Sequence, residues 1–91
     1  MMFTERIKQL HEECQIPQRV LAAALEIDTA TYCKIEKGER KAKREQVFII
    51  AKLLKADKDE LLSLWLAEQV YSVVKDDEHA NKALNIVAKK L

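Results

Sequence analysis

The side chains of this sequence that could do chemistry are basic residues gathered in one short segment. The stretch KGERKAKR, residues 37–44, sets one acidic residue, Glu39, against five positive charges: Lys37, Arg40, Lys41, Lys43 and Arg44. Because Lys and Arg at this density neutralise phosphates, the segment predicts contact with a polyanion such as nucleic acid. Basic runs of this length are also found as solvated loops, and charge alone leaves that alternative open.

No catalytic or metal-binding set accompanies the basic segment. His11 and His79 lack the spacing of a zinc-binding helix, and Cys14 and Cys33 are too far apart to form a paired-cysteine motif. One glycine in the whole chain is too few for a glycine-rich phosphate loop. We therefore expect no catalytic residue, no metal and no cofactor, and the sequence argues against an enzyme.

The bulk composition indicates one small, helical, cytoplasmic protein. Its 91 residues are 48% hydrophobic and 34% charged, and one Gly and one Pro are too few for a chain of strands and hairpins. No apolar run is long enough to span a membrane and no signal-peptide core is present, so no membrane partner is expected. Residues 1–56 hold eleven basic and eight acidic side chains, whereas residues 57–91 hold five and seven. The excess of positive charge is therefore local.

The spacing of apolar residues predicts six helices. Asp28 and Asp57 are suitable caps for the starts of the third and fifth helices, and Gly38 can close the third in a left-handed conformation. The short second helix is expected to bury one stripe: Val20, Leu21, Ala24 and Leu25. The predicted helices cover about residues 3–14, 17–25, 29–37, 44–55, 58–75 and 81–90.

The second and third predicted helices form a helix-turn-helix pattern. Both are short, and a turn of three or four residues separates them. In such a corner the first helix braces the second, whose N-terminal end projects into the major groove of DNA. Many small helical bundles contain similar corners, so the pattern alone does not identify a DNA-binding helix-turn-helix. The individual residues provide the further evidence.

The segment IPQRVLAAALEIDTATYCKIEKGER, residues 16–40, resembles the Cro and phage-repressor-like (Xre-type) helix-turn-helix family. The matching positions are Gln18, Leu21, Ala22, Leu25, Ile27, Thr31, Lys34, Ile35, Glu36, Gly38 and Arg40. The resemblance covers about residues 3–65 and implies an all-α, lambda-repressor-like bundle of about five helices plus a C-terminal helix. It also implies a transcriptional regulator that binds double-stranded DNA sequence-specifically.

Three features depart from the family pattern. Gln15 and Glu26 stand where the family often has glycine, so either Glu26 is left-handed, at a cost on the order of 1 kcal/mol, or the turn is rearranged. Pro17 replaces the usual Ser or Thr cap. His11 stands where the family commonly has an arginine that pairs with the glutamate matching Glu36. We therefore expect His11 and Glu36 to form a nearly buried structural pair; the alternative is an exposed histidine on the first helix.

The resemblance also assigns roles to the residues that would touch DNA. The base-facing positions are Thr29, Ala30, Cys33 and Lys34. The phosphate-binding positions are Gln18, Lys37, Arg40, Lys41, Lys43 and Arg44. Thr and Ala can meet a thymine methyl group but give no bidentate readout, so specificity would depend on Lys34 and on DNA shape. Cys33 is either a bystander thiol or, as an alternative, a redox sensor.

The last third of the chain is predicted to complete the core and to dimerise. We expect a DNA-binding domain in residues 1–56 and C-terminal helices in residues 57–91. The fifth helix is too apolar for one buried stripe, so a second copy of the chain is expected to cover six side chains: Leu66, Val70, Val73, Val74, Leu84 and Val87. The alternative is a monomer whose sixth helix folds over the fifth. A two-fold dimer would set its recognition helices about 34 Å apart and predicts a palindromic site.

Two further possibilities concern the same C-terminal region. The segment LWLAEQVYSVVKDDEHANKALNIVAKKL, residues 64–91, is similar to the tail of small Xre-type regulators found beside DNA methyltransferases in bacterial restriction–modification loci. That likeness implies control of a neighbouring operon or of its own operon. A different class of function also remains open, an antitoxin-like module whose C-terminal helices bind a partner protein.

Overall fold

A computed structural model describes residues 2–91, and the described residues form six α-helices and no strand. The helices are α1 (Phe3–Cys14), α2 (Gln18–Ala24), α3 (Thr29–Lys37), α4 (Arg44–Leu53), α5 (Lys58–Val74) and α6 (Ala80–Lys90). The predicted all-α fold class is confirmed, and each helix begins and ends within a few residues of its expected bounds. In residues 2–91 no helix is long and apolar enough to cross a membrane.

The predicted cap residues begin and end the helices that matter for the site. Asp28 Oδ1 accepts a hydrogen bond from the Thr31 backbone N–H at 2.7 Å, and Asp57 accepts one from the Asp59 N–H at 2.9 Å. Hydrogen bonds from the side chain and backbone of Thr31 lower the pKa of Asp28 below its ordinary value. Gly38 ends α3 in the left-handed conformation, with φ of 79°.

The turns before and after α2 keep a left-handed backbone without glycine. Gln15 has φ of 55° and Glu26 has φ of 59°. Glu26 is therefore left-handed. Of the two expectations for this turn, a strained, left-handed Glu26 is correct and a rearranged turn is wrong. A side chain in this region costs on the order of 1 kcal/mol relative to the right-handed form.

One hydrophobic core lies between α1, α2, α3, α4 and the first turn of α5. Its largest fully enclosed side chains are Tyr32, Ile7, Leu21, Ile35, Ile50, Leu54, Leu61 and Val47. The buried stripe expected for α2 was wrong at two positions, since Val20 is 41% exposed and Ala24 is also exposed. Ala22, which was not expected in the stripe, is buried. The reason is that α2 packs on α3 and α4 along the edge that carries Leu21, Ala22 and Leu25. Val20 and Ala24 fall on the opposite side of the helix.

The C-terminal part of the chain is much less covered than the rest. Only Leu61 of α5 is fully buried, and Leu62, Leu64 and Trp65 pack partly against the core. In α6 every residue after Ala80 is exposed. The core of the single chain therefore ends near the middle of α5.

Candidate nucleic-acid interface

The outward side of α3 presents three of the four residues predicted to face DNA bases. Thr29, Ala30 and Lys34 are exposed, whereas Tyr32 and Ile35 on the inner side are completely or almost completely buried. The helix is thus held through its inner side and offers a small outward surface. One positive charge, that of Lys34, lies on this surface.

Cys33 and Gln18 join the outward side of α3 to the start of α2. The Cys33 thiol donates a hydrogen bond to Gln18 Oε1 at 2.9 Å, and both residues are partly buried. Cys33 is therefore partly covered, unlike the three other positions predicted to face bases. Among the described residues no acceptor is bonded to Gln18 Nε2, so the amide NH₂ group can donate to an external acceptor. This arrangement suits the phosphate contact predicted for Gln18.

His11 of α1 contacts Glu36 on the inner side of α3. His11 Nδ1 lies 3.0 Å from Glu36 Oε2, and Glu36 is only 6% exposed. The two side chains that the sequence led us to expect as a pair are therefore in contact; Glu36 is nearly buried and His11 is partly buried. Burial, and then the neighbouring Glu36 carboxylate, raises the pKa of Tyr32, so its hydroxyl stays neutral. The pair ties the C-terminal half of α3 to α1.

The basic residues predicted to bind phosphate are exposed. Lys37 ends α3, Arg40 and Lys41 lie in the connection that follows, and Lys43 and Arg44 stand at the start of α4. All five are exposed, and within residues 2–91 none of them forms an ion pair with a carboxylate. Their charge is therefore available to an external anion. We call the connection of residues 38–43 the basic loop.

Trp65 of α5 contacts the basic loop, a role that sequence reasoning missed. Its indole Nε1–H donates a hydrogen bond to the Ala42 carbonyl oxygen at 2.8 Å. The Lys41 ammonium and the Arg44 guanidinium lie 5.8 Å and 5.9 Å from the centre of its ring. Because an indole N–H at the edge of a core usually needs an acceptor, that group was the available signal.

The six residues predicted to form a dimer interface belong to an exposed apolar surface. Leu66 is 54% and Val73 is 81% exposed, and Val74 is partly buried. Four of the six line a groove of about 510 Å³ between α5 and α6: Leu66, Val70, Val74 and Leu84. The rest of the groove is lined by Met2, Ser63, Ala67 and Tyr71. We call this surface the apolar C-terminal face. Nothing in residues 2–91 covers it.

The described residues contain no cluster of three or more His, Cys, Asp and Glu side chains that could hold a metal ion. The exposed polar groups on the outward side of α3 and in the basic loop are mainly hydrogen-bond donors and positive charges.

Comparison with known proteins yields one family match. A family model described as helix-turn-helix matches residues 7–61, which is more than half of the chain. The matched segment contains α2, α3, the basic loop and α4, and it ends in the first turn of α5. No significant match was found among curated proteins or among solved structures.

Proposed function

Because this chain belongs to the Cro-type, Xre-like helix-turn-helix family of DNA-binding regulators, we propose that it is a homodimeric transcriptional regulator that binds a palindromic operator sequence-specifically. One observation carries the DNA-binding part. A helix anchored by its buried side presents Thr29, Ala30 and Lys34. Five exposed cations that form no ion pair within residues 2–91 follow them in the chain. Such a surface offers both base-edge and phosphate contacts.

The proposed contacts divide into readout of bases and attachment to phosphates. Thr29 and Ala30 meet thymine methyl groups, and Lys34 donates to a base-edge acceptor or to the backbone. Cys33 stands beside them with its thiol bonded to Gln18. Phosphates are bound by the Gln18 amide and by the five cations of residues 37–44. The division of the chain into a DNA-binding domain, residues 1–56, and C-terminal helices, residues 57–91, is part of the same proposal.

The homodimer is supported by the apolar C-terminal face and by the charges along α6. The helix repeats apolar residues at positions 80, 83, 84 and 87, and position 91 directly after it continues the same spacing, which places them on one side. Exposed acidic residues, Asp76, Asp77 and Glu78, precede it, and Lys89 and Lys90 occupy its last turn. Two copies of α6 packed antiparallel about a two-fold axis would bring the acidic end of each beside the basic end of the other. A second copy of this chain is therefore the proposed occupant.

The operator would carry the same two-fold symmetry as the dimer. Recognition helices about 34 Å apart reach successive major grooves on one side of the duplex. The likeness of residues 64–91 to restriction–modification controllers extends the proposal to the target: the promoter of its own operon or of a neighbouring methyltransferase operon. The absence of enzymatic activity also belongs to this proposal.

Titration of labelled DNA tests the DNA-binding part. The probe is the duplex from upstream of the gene, the competitor is random duplex, and affinity is measured at several salt concentrations. We expect tight, salt-steep binding to the upstream duplex at two chains per site. A Lys34→Ala, Arg40→Ala double variant should bind more weakly, and its salt slope should fall by about 1 for each phosphate that the variant no longer neutralises.

The matched control removes two positive charges elsewhere. Lys8 and Lys52 are exposed residues of α1 and α4 outside the proposed contacts, so a Lys8→Ala, Lys52→Ala variant should bind nearly like the parent. Equal loss of affinity in both double variants would mean that only net charge matters, and no loss in either would overturn the DNA-binding surface.

A second candidate function is an antitoxin-like interaction module, favoured by the same apolar C-terminal face. In this case a different protein occupies the groove between α5 and α6. Sedimentation over a range of concentrations separates the two occupants. A chain that remains monomeric at high concentration argues for the partner protein, and a two-fold increase in mass argues for the homodimer.

A further inference from the structure

We propose that Trp65 is a positioning residue that holds the basic loop in the conformation that binds phosphate. The inference rests on the proposed function and goes beyond the family match, which ends at residue 61. It concerns a residue of α5 that itself touches no DNA in the proposed complex.

The backbone of the basic loop is tied at its two ends by different means. At the beginning, the N–H groups of Glu39 and Arg40 donate to the Lys34 carbonyl oxygen at 2.9 Å and 3.2 Å. At the end, Ala42 is buried and its carbonyl oxygen accepts the bond from Trp65. Among the described residues this is the only hydrogen bond between the loop and α5. Without it, Lys43 would keep its hydrogen bonds to α4 and Ala42 its place in the core, but the loop would have no hydrogen bond to α5 among the described residues.

The ring of Trp65 also gathers two charges that repel each other. An ammonium and a guanidinium within about 6 Å of an aromatic centroid are both attracted to its negative face. Lys41 and Arg44 stand at 5.8 Å and 5.9 Å from the same ring, and neither has a carboxylate partner in the described chain. The ring therefore brings two cations together without neutralising them. Lys has three donors and Arg five, so hydrogen bonding to a phosphate stays possible in this position.

Holding the loop before DNA arrives changes the free energy of binding. A flexible loop loses conformational freedom when it binds, and a loop already fixed in the bound conformation avoids that cost. Two cations near one site also meet a phosphate with less rearrangement than two that move independently. Removing the Trp65 side chain should therefore weaken DNA binding even though every group that touches DNA is retained.

The test compares three variants of the full chain in the DNA titration. Trp65→Leu removes both the hydrogen bond and the aromatic ring, whereas Trp65→Phe keeps an aromatic ring but lacks the N–H donor. Leu64→Ala is the matched control, because Leu64 also packs partly against the core from α5 but belongs to neither loop contact. All titrations are made at a low temperature where circular dichroism shows each variant to be fully helical.

The expected order of affinity is parent, then Phe, then Leu. From the usual size of one hydrogen bond and two partly exposed cation–π contacts, we expect about threefold weaker binding for Trp65→Phe and about tenfold for Trp65→Leu. Leu64→Ala should bind within about twofold of the parent although its melting temperature falls. Trp65 is the only tryptophan of the chain, so its emission should change with the same midpoint as the DNA titration.

Three results would overturn the inference. Trp65→Leu binding as tightly as the parent, or Leu64→Ala losing as much affinity as Trp65→Leu, would leave Trp65 with a structural role only. Tryptophan emission that does not change on addition of DNA would mean that the Trp65 ring is not part of the region that responds to binding. If the parent itself shows no salt-dependent binding, the proposed function fails together with this inference; if the parent binds and the variants bind equally, the inference alone fails.

Discussion

Replacing His11 by alanine tests the contact between α1 and α3. In the parent, His11 Nδ1 lies 3.0 Å from Glu36 Oε2, and the Glu36 side chain is 7% exposed. The variant leaves this nearly buried carboxylate without its partner. Leaving a buried polar group without its partner costs about 1–3 kcal/mol. In a domain of this size each kcal/mol lowers the melting temperature by roughly 4–8 °C.

The assay is thermal and urea unfolding at one fixed protein concentration, because self-association would make the melting temperature depend on concentration. A Glu36→Gln variant and the double variant complete a thermodynamic cycle. The neutral amide leaves no buried charge unpaired, so His11→Ala should cost much less in the Glu36→Gln background. The coupling free energy should be at least about 1 kcal/mol, in the range found for residues in contact.

The other histidine provides the matched control. His79 lies 3.4 Å from Asp77, but both side chains are largely exposed, so His79→Ala should change stability by less than about 0.5 kcal/mol. A similar small effect for His11→Ala, with additive free energies in the cycle, would refute the reasoning that the His11–Glu36 contact braces α3.

The turns, the caps and the exposed face give three further predictions. Val70→Asp should abolish self-association in sedimentation experiments, whereas Val20→Asp, at an equally exposed valine of α2, should leave the mass unchanged; dimers of the Val70 variant would contradict the proposed interface. Glu26→Gly should raise the free energy of unfolding by up to about 1 kcal/mol, because glycine adopts the left-handed conformation without strain, and a lower melting temperature would contradict this. The lowered pKa of Asp28 means that its cap stabilises the fold fully above the unfolded-state pKa and loses this effect as the pH falls through the lower folded value. Asp28→Asn should therefore make stability depend less on pH in the acid range, as measured by circular dichroism. An unchanged midpoint of acid unfolding would show that protonation of this cap does not contribute to acid unfolding.

Local signals in the sequence predicted most of the fold. Asp28, Asp57 and Gly38 marked helix ends by their own side-chain or backbone chemistry, and such signals need no knowledge of the tertiary structure. The buried side of α2 could not be assigned in the same way. In a helix of seven residues several stripes are nearly equally apolar, and packing on α3 and α4 selects the one with Ala22.

For the same physical reason, the sequence predicted the charged residues of the candidate site but missed its contacts between distant residues. The charges of residues 37–44 are visible in the sequence, and so is the family likeness of Gln18, Lys34 and Arg40, whose DNA contacts stay predictions. The bond from Trp65 to Ala42 joins residues 23 positions apart. Only the packing of α5 on α4 brings such distant groups together, and no periodicity encodes it. The thiol bond from Cys33 to Gln18 depends in the same way on the angle between α2 and α3.

The exposure of α6 has a consequence for how such a regulator would respond to its own abundance. If two copies of the chain pair through this helix, as proposed, dimer formation depends on concentration by mass action. While monomers predominate, the amount of dimer grows with the square of the total protein. On the proposed function, occupancy of the operator would then rise steeply over a narrow range of expression, without any small-molecule effector.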